Sequence, residues 1–231
     1  MRTTKNISGS ISKAIFLILL LAMSGKLCAQ EGSEKDTLRT YGPRIGIDLA
    51  RFLSLIADPP QTGVELNADF EIFRNIYPVF ELGYNNLSDS NEAFDYSSSG
   101  TYGRAGIDYN VLSLKDRSSH HTITMGFRYG ISLFKQEVDN IQIQNVYWGD
   151  YVPEPYENNL TGHWIELVGG MKAEVLSNLF MGWTVRYKIL LNDDMDPLMI
   201  PQMIPGFGSG GEEQLFGFTY SVAYKIPLFK K

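Results

Sequence analysis

Eight segments of this chain alternate apolar and polar residues with a period of two, and few folds can use such a pattern. The last segment is the cleanest. Phe216, Phe218, Tyr220, Val222, Tyr224 and Ile226 fall on one side, and Gly217, Thr219, Ser221, Ala223 and Lys225 on the other. Successive side chains of a strand point to opposite faces, so each segment presents one apolar and one polar face. No helical periodicity competes with this after residue 43.

The other seven segments repeat the design. Their apolar sides begin with Ile45, Ile47 and Leu49, then Val64 to Ile72, Phe80 to Tyr84, and Ala105 to Val111. They continue with Ile123 to Leu133, Ile165 to Val175, and Leu179 to Ile189. The links between them alternate in length. Arg74-Asn75, Lys115 to Ser119, and Ser177-Asn178 are short, whereas Asn86 to Ser99, Gln136 to Gly162, and Asn192 to Gln214 are long. Strands that run up and down between a plain end and an elaborated end produce this alternation, as in transmembrane barrels. The pattern predicts an all-β, eight-stranded antiparallel up-and-down barrel over residues 43–231.

Residues 1–29 read as a signal peptide. Arg2, Lys5 and Lys13 precede the apolar run Ala14 to Met23, and small and polar residues lead to Ala29. The run is shorter than the roughly 20 apolar residues of a spanning helix. The single cysteine, Cys28, lies inside this segment, so the mature chain carries no disulfide framework. Residues 30–42 are polar and patternless, as expected of a flexible tether. They include Asp36-Thr37-Leu38, a tripeptide similar to an O-glycosylation signal. Four of the 20 basic residues fall in the signal, leaving 16 against 26 acidic residues, a mature net charge of −10. That balance argues against nucleic acid as a partner.

Period two alone does not say which face is inside. A secreted lipocalin-like lipid-binding barrel points its apolar face inward, and a membrane barrel points it outward. Three features favour the membrane arrangement. The polar faces carry Gly46, Gly83, Gly106, Gly126, Gly130, Gly182 and Gly217, which suits a lumen just wide enough for side chains. The polar-face charges nearly balance, as an enclosed network requires. Its acids are Asp48, Glu65, Asp69, Glu71, Glu81, Asp108, Glu166 and Glu174, and its bases are Arg44, Arg104, Arg128, Lys172, Arg186, Lys188 and Lys225. The apolar faces include Tyr77, Tyr109, Trp183, Tyr187, Tyr220 and Tyr224, some near strand ends, where aromatic girdles sit.

Four stretches also resemble a family. They are Tyr41-Gly42-Pro43-Arg44-Ile45-Gly46-Ile47-Asp48, Gly126-Phe127-Arg128-Tyr129-Gly130, His163-Trp164-Ile165-Glu166, and Tyr224-Lys225-Ile226-Pro227-Leu228-Phe229-Lys230-Lys231. Together they are similar to uncharacterised outer-membrane-barrel-like proteins of Bacteroidota. The resemblance implies an envelope location and a barrel, with no known activity.

Candidate chemistry is sparse. His163 stands at the elaborated rim three residues before Glu166, the one pair that could serve a lipid- or peptide-hydrolase. The odd spacing sets the two on opposite faces of a regular strand. His120 and His121 read as part of a polar turn. Asp193, Asp194 and Asp196 gather carboxylates of the kind calcium prefers, without the EF-hand spacing. Tyr147, Trp148 and Tyr151 form an aromatic loop suited to a protein or glycan contact. The apolar run Ile200 to Phe207 is expected to fold over the barrel mouth. The reading that follows is an outer-membrane barrel with a closed polar lumen, no enzyme activity and no cofactor. Outer-membrane lipid surrounds it, and its role is structural or surface interaction.

Overall fold

The computed structural model describes residues 40–49, 51, 61–90, 94–112, 121–141, 154–192, 196 and 199–230. The signal segment, most of the tether, His120, Asp193, Asp194, Tyr147, Trp148 and Tyr151 lie outside the described residues. Eight strands close a barrel: β1 (Arg44–Asp48), β2 (Gln61–Asp69), β3 (Ile76–Ser90), β4 (Asp95–Asn110), β5 (Thr122–Asp139), β6 (Tyr156–Leu176), β7 (Leu179–Leu190) and β8 (Gln214–Lys225). Every pairing is antiparallel between sequence neighbours, and β8 closes on β1 with Ser221 opposite Asp48 and Lys225 opposite Arg44. Beyond Pro43 and Pro227, Thr40–Tyr41 pairs with Phe229–Lys230.

The apolar faces point outward. Leu82 and Met125 are 67 % and 65 % exposed, and Phe216 79 %, while Arg104, Arg128, Glu166 and Arg186 are buried. A lipocalin-type cavity needs the reverse, so that alternative is overturned. The glycines give the lumen its room. A Cβ at Gly130 would collide with the Trp164 ring, and one at Gly126 with the Asp108 carboxylate.

Four expectations need correction. Tyr77 does not join the outer aromatics. It shares inward parity with Val79 and Glu81, is buried, and lies under the Arg44 guanidinium at 4.9 Å. The link Asn86 to Ser99 is largely strand, since β3 runs to Ser90 and β4 restarts at Asp95. Gln136 to Gly162 likewise contains the ends of β5 and β6, paired from Val138 opposite Tyr156 downward. In β1 the alternation stops at Asp48, and Leu49 already has helical backbone.

The longer strands carry an inversion of polarity. On β5 the outward positions Ile123, Met125, Phe127, Tyr129, Ile131 and Leu133 are apolar, and the inward Thr124, Arg128 and Ser132 are polar. Above Leu133 the same parity holds, but Lys135, Glu137 and Asp139 now face out, and Phe134 and Val138 face in on either side of the buried amide of Gln136. On β6, Glu157, Asn159 and Thr161 face out above Ile165 and Leu167, with Leu160 and Trp164 buried inside. The two boundaries are in register, because Leu133 pairs with Thr161 and Ile131 with His163. From Ile123 to Leu133 the strand rises about 34 Å. A tilt of about 45° reduces this to about 24 Å, close to the ~25 Å apolar band of membrane barrels. The upper storey has instead the inside-apolar, outside-polar pattern of a structure in water.

The tight turns that join β2 to β3 and β6 to β7 use one device. Asn75 and Asn178 adopt φ of 68° and 64°, a left-handed conformation that asparagine tolerates better than most residues. The amide of Asn75 donates to the Glu71 carboxylate at 3.2 Å, and that of Asn178 to Glu174 at 2.7 Å. Replacing Asn178 by Ala is expected to cost about 1 kcal/mol and replacement by Gly almost nothing. Urea titration of the refolded barrel measures both.

Candidate functional site

Three layers fill the lumen. The lower layer holds Asp69, which accepts from Arg44 Nε at 2.5 Å and pairs with Lys172. Arg44 and Lys225 both lie over the Phe180 ring at 5.4 Å. Cations over aromatic faces are favoured once water is excluded.

The middle layer is a cluster of guanidinium groups and carboxylates from six strands. Arg104 of β4 contacts Glu65, Glu81 at 2.8 Å and Glu166 at 3.3 Å. Arg186 of β7 grips Glu81 with two nitrogens at 2.8 and 2.9 Å, reaches Glu166 at 3.0 Å, and donates to Thr219 at 3.1 Å. Arg128 pairs with Asp108 at 2.8 Å. Two members were not legible in the alternation. The Tyr102 hydroxyl donates to Glu65 at 2.5 Å, and Arg51 meets Glu65 at 3.0 Å and Asn85 at 2.7 Å. Arg51 follows the end of β1, so strand parity gives no hint of it. Of the fifteen residues expected to line the lumen charge network, Glu71 and Glu174 are found bonding turn amides at the lower end.

The upper layer is apolar: Tyr102, Phe134, Leu160, Trp164, Ile204 and Phe207 pack together. The Trp164 indole donates to Glu166 at 2.7 Å and meets Phe207 edge-on at 5.9 Å. Ile204 and Phe207 belong to the segment between β7 and β8, which turns inward through Gly206 at φ 82°. Lys188 Nζ donates to the Gly206 and Phe207 carbonyls at 2.8 and 2.7 Å, and Ser98 donates to that of Met203 at 2.9 Å. The segment therefore plugs the upper mouth.

His163 and Glu166 are not brought together. Glu166 is buried among arginines, whereas the His163 ring faces out and shares a 3.1 Å hydrogen bond with the Tyr129 hydroxyl at the polarity boundary. A buried carboxylate engaged by two guanidiniums and an indole, on the opposite side of the wall from the His163 ring, is not placed for general-base work with it. Asp196 accepts from the Tyr156 hydroxyl at 2.8 Å and from Gln136 at 3.3 Å, which ties the loop to the β5–β6 wall. Among the described residues no group of three or more His, Cys, Asp or Glu could hold a metal ion. Above the boundary, hydrogen bonds to Glu137 and Glu157 hold the exposed Lys135 ammonium above its ordinary pKa range.

A family model described as "Domain of unknown function (DUF6048)" matches residues 10–231. The chain belongs to this family. No curated protein matches it. Among solved structures it is similar to Neisserial surface protein A (NspA), at 11 % identity and a TM-score of 0.39, over 80 % of this chain and 94 % of that one. It is also similar to Acinetobacter baumannii CarO2, at 10 % identity and a TM-score of 0.36, over 83 % of this chain and all of the other.

Proposed function

We propose that this DUF6048 protein is an outer-membrane β-barrel with a sealed lumen, exported by its N-terminal signal. Its upper storey serves as a structural or contact surface. The carrying observation is the in-register inversion of polarity on β5 and β6 at Leu133 and His163. A soluble barrel has no reason to wear apolar side chains outside for about 24 Å and polar ones above them. Outer-membrane lipid is the partner of the lower belt. The sequence between β5 and β6 that carries Tyr147, Trp148 and Tyr151 is the place for a protein or glycan partner. Among the described residues, His163 and Glu166 are not brought together as a hydrolase would need.

Fractionation tests the location. The mature protein is expected in the outer membrane, extracted only by detergent, and its migration on gels is expected to change on heating. Recovery in the soluble periplasmic fraction would overturn the proposal. The sealed lumen has a separate test. Purified protein in planar bilayers should give no stepwise conductance. It should stay silent when residues 202–210 are replaced by a Gly-Ser linker, because the charge cluster still fills the middle. Regular channel openings in the unmodified protein contradict the sealed lumen.

A further inference from the structure

The lumen changes character between its lower and middle layers. Thr124 of β5, Thr184 of β7, and Thr219 and Ser221 of β8 put hydroxyls where the layers on either side put charges. A cavity of about 20 Å³ lies among them. Its wall also carries three cations, Arg128, Lys172 and Arg186, and two carboxylates, Glu81 and Asp108. Every residue of that wall lies on a described strand, from β2 through β8.

Each charge in the wall already has an opposite partner. Asp108 holds Arg128 at 2.8 Å, Glu81 holds Arg186 and Arg104, and Lys172 pairs with Asp69. An ion added here brings an uncompensated charge into a buried place, which is costly. A halide would stand beside Glu81 and Asp108, and a metal cation beside Arg128, Lys172 and Arg186.

Hydrogen-bonding capacity, in contrast, is left over. The Arg128 side chain is 3 % exposed, and its Nε–H has no acceptor among the described residues. Glu81 Oε1 is 3.8 Å from that nitrogen, beyond hydrogen-bonding range. Oε1 itself accepts from Arg186 at 2.9 Å. A carboxylate oxygen has two lone pairs, so a second donor fits. The Thr219 hydroxyl accepts from Arg186 Nε at 3.1 Å, and its own proton is still to be placed. The site therefore calls for a small neutral group that accepts from two donors and gives a proton to a carboxylate. Water has that capacity, makes about three hydrogen bonds when buried, and needs roughly 10–15 Å³ of cavity.

We propose that one ordered water occupies this cavity, accepting from Arg128 Nε–H and the Thr219 hydroxyl and donating to Glu81 Oε1. It ties the charge cluster to the hydroxyl shelf beneath it, so the sealed lumen is wet at one defined point. A crystal structure of the purified barrel grown with sodium bromide, with diffraction recorded at the bromine edge, tests this. One oxygen-sized peak without anomalous signal is expected within about 3.2 Å of Arg128 Nε. An anomalous peak there overturns the proposal in favour of an anion, and no density overturns it in favour of a dry site. Magnetic relaxation dispersion of water oxygen, on the protein in micelles, counts trapped waters independently. Val168→Leu extends a side chain of the cavity wall and should lower the count by one. Val185→Leu, on the outer face, should leave it unchanged. Heat-modifiable migration confirms that each variant is folded, and an unchanged count in folded Val168→Leu overturns the proposal. If Val168→Leu fails to fold, the crystal of the unmodified chain carries the test. Neither arm depends on where the protein resides, so a failure of the membrane reading is distinguishable from a failure of this one.

Discussion

Arg104→Met is expected to destabilise the barrel by about 3–5 kcal/mol, the usual cost of removing one partner from a buried ionic cluster. Arg104 is buried and contacts the carboxylates of Glu65, Glu81 and Glu166. Its loss leaves three acids with Arg186 as their main shared cation, and Glu65 with Arg51 and the Tyr102 hydroxyl. Arg104→Lys keeps the charge but lacks the planar fork that spans three partners, so it should fall between wild type and Arg104→Met. Urea unfolding in lipid vesicles, followed by tryptophan fluorescence, reads the difference. A loss below about 1 kcal/mol for Arg104→Met would mean that the cluster is wet or unneeded.

The second large effect is on the opposite face. Phe127 points outward near the middle of the belt on β5 and is 47 % exposed. Phe127→Arg should cost about 2–4 kcal/mol, the range for a cation at the bilayer midplane. Leu133→Arg, at the polarity boundary, should cost no more than about 1 kcal/mol. In a soluble barrel both would be exposed surface changes worth within about 0.5 kcal/mol. The gradient between the two positions is therefore more informative than either value alone.

Much of this fold was legible because one physical rule, alternation, operates wherever a strand separates two solvents. The eight strands, the antiparallel order and the inward glycines all follow from it. Legibility failed where the solvents change. At Leu133-Phe134 the two faces exchange polarity, so the pattern breaks although β5 continues to Asp139. The loops expected over Asn86 to Ser99 and Gln136 to Gly162 are products of that break. Tyr77 was misplaced for a related reason: it lies near the end of the belt, and its residue type outweighed its parity with Val79 and Glu81. Glu71 and Glu174 have lumen-type parity but sit four residues before a turn amide, where a carboxylate has a nearer donor. Arg51 enters the cluster from outside any strand, beyond the end of β1 at Asp48. Trp164 did fall on the polar face of its segment. Its neighbour Gly130 carried the signal that a large group needed room there.

The central claim is that the apolar face meets lipid and the charged face is enclosed. Single cysteines along β5, each carrying a spin label in the vesicle-embedded barrel, test it directly. Labels at Ile123, Met125, Phe127, Ile131 and Leu133 should collide readily with oxygen dissolved in the bilayer, and labels at Thr124 and Ser132 should meet neither oxygen nor a water-soluble nickel reagent. Beyond Leu133 the outward positions Lys135 and Glu137 should switch to the nickel reagent. Water-soluble reagent reaching Met125 and Phe127, or oxygen reaching the Thr124 parity instead, would contradict the account.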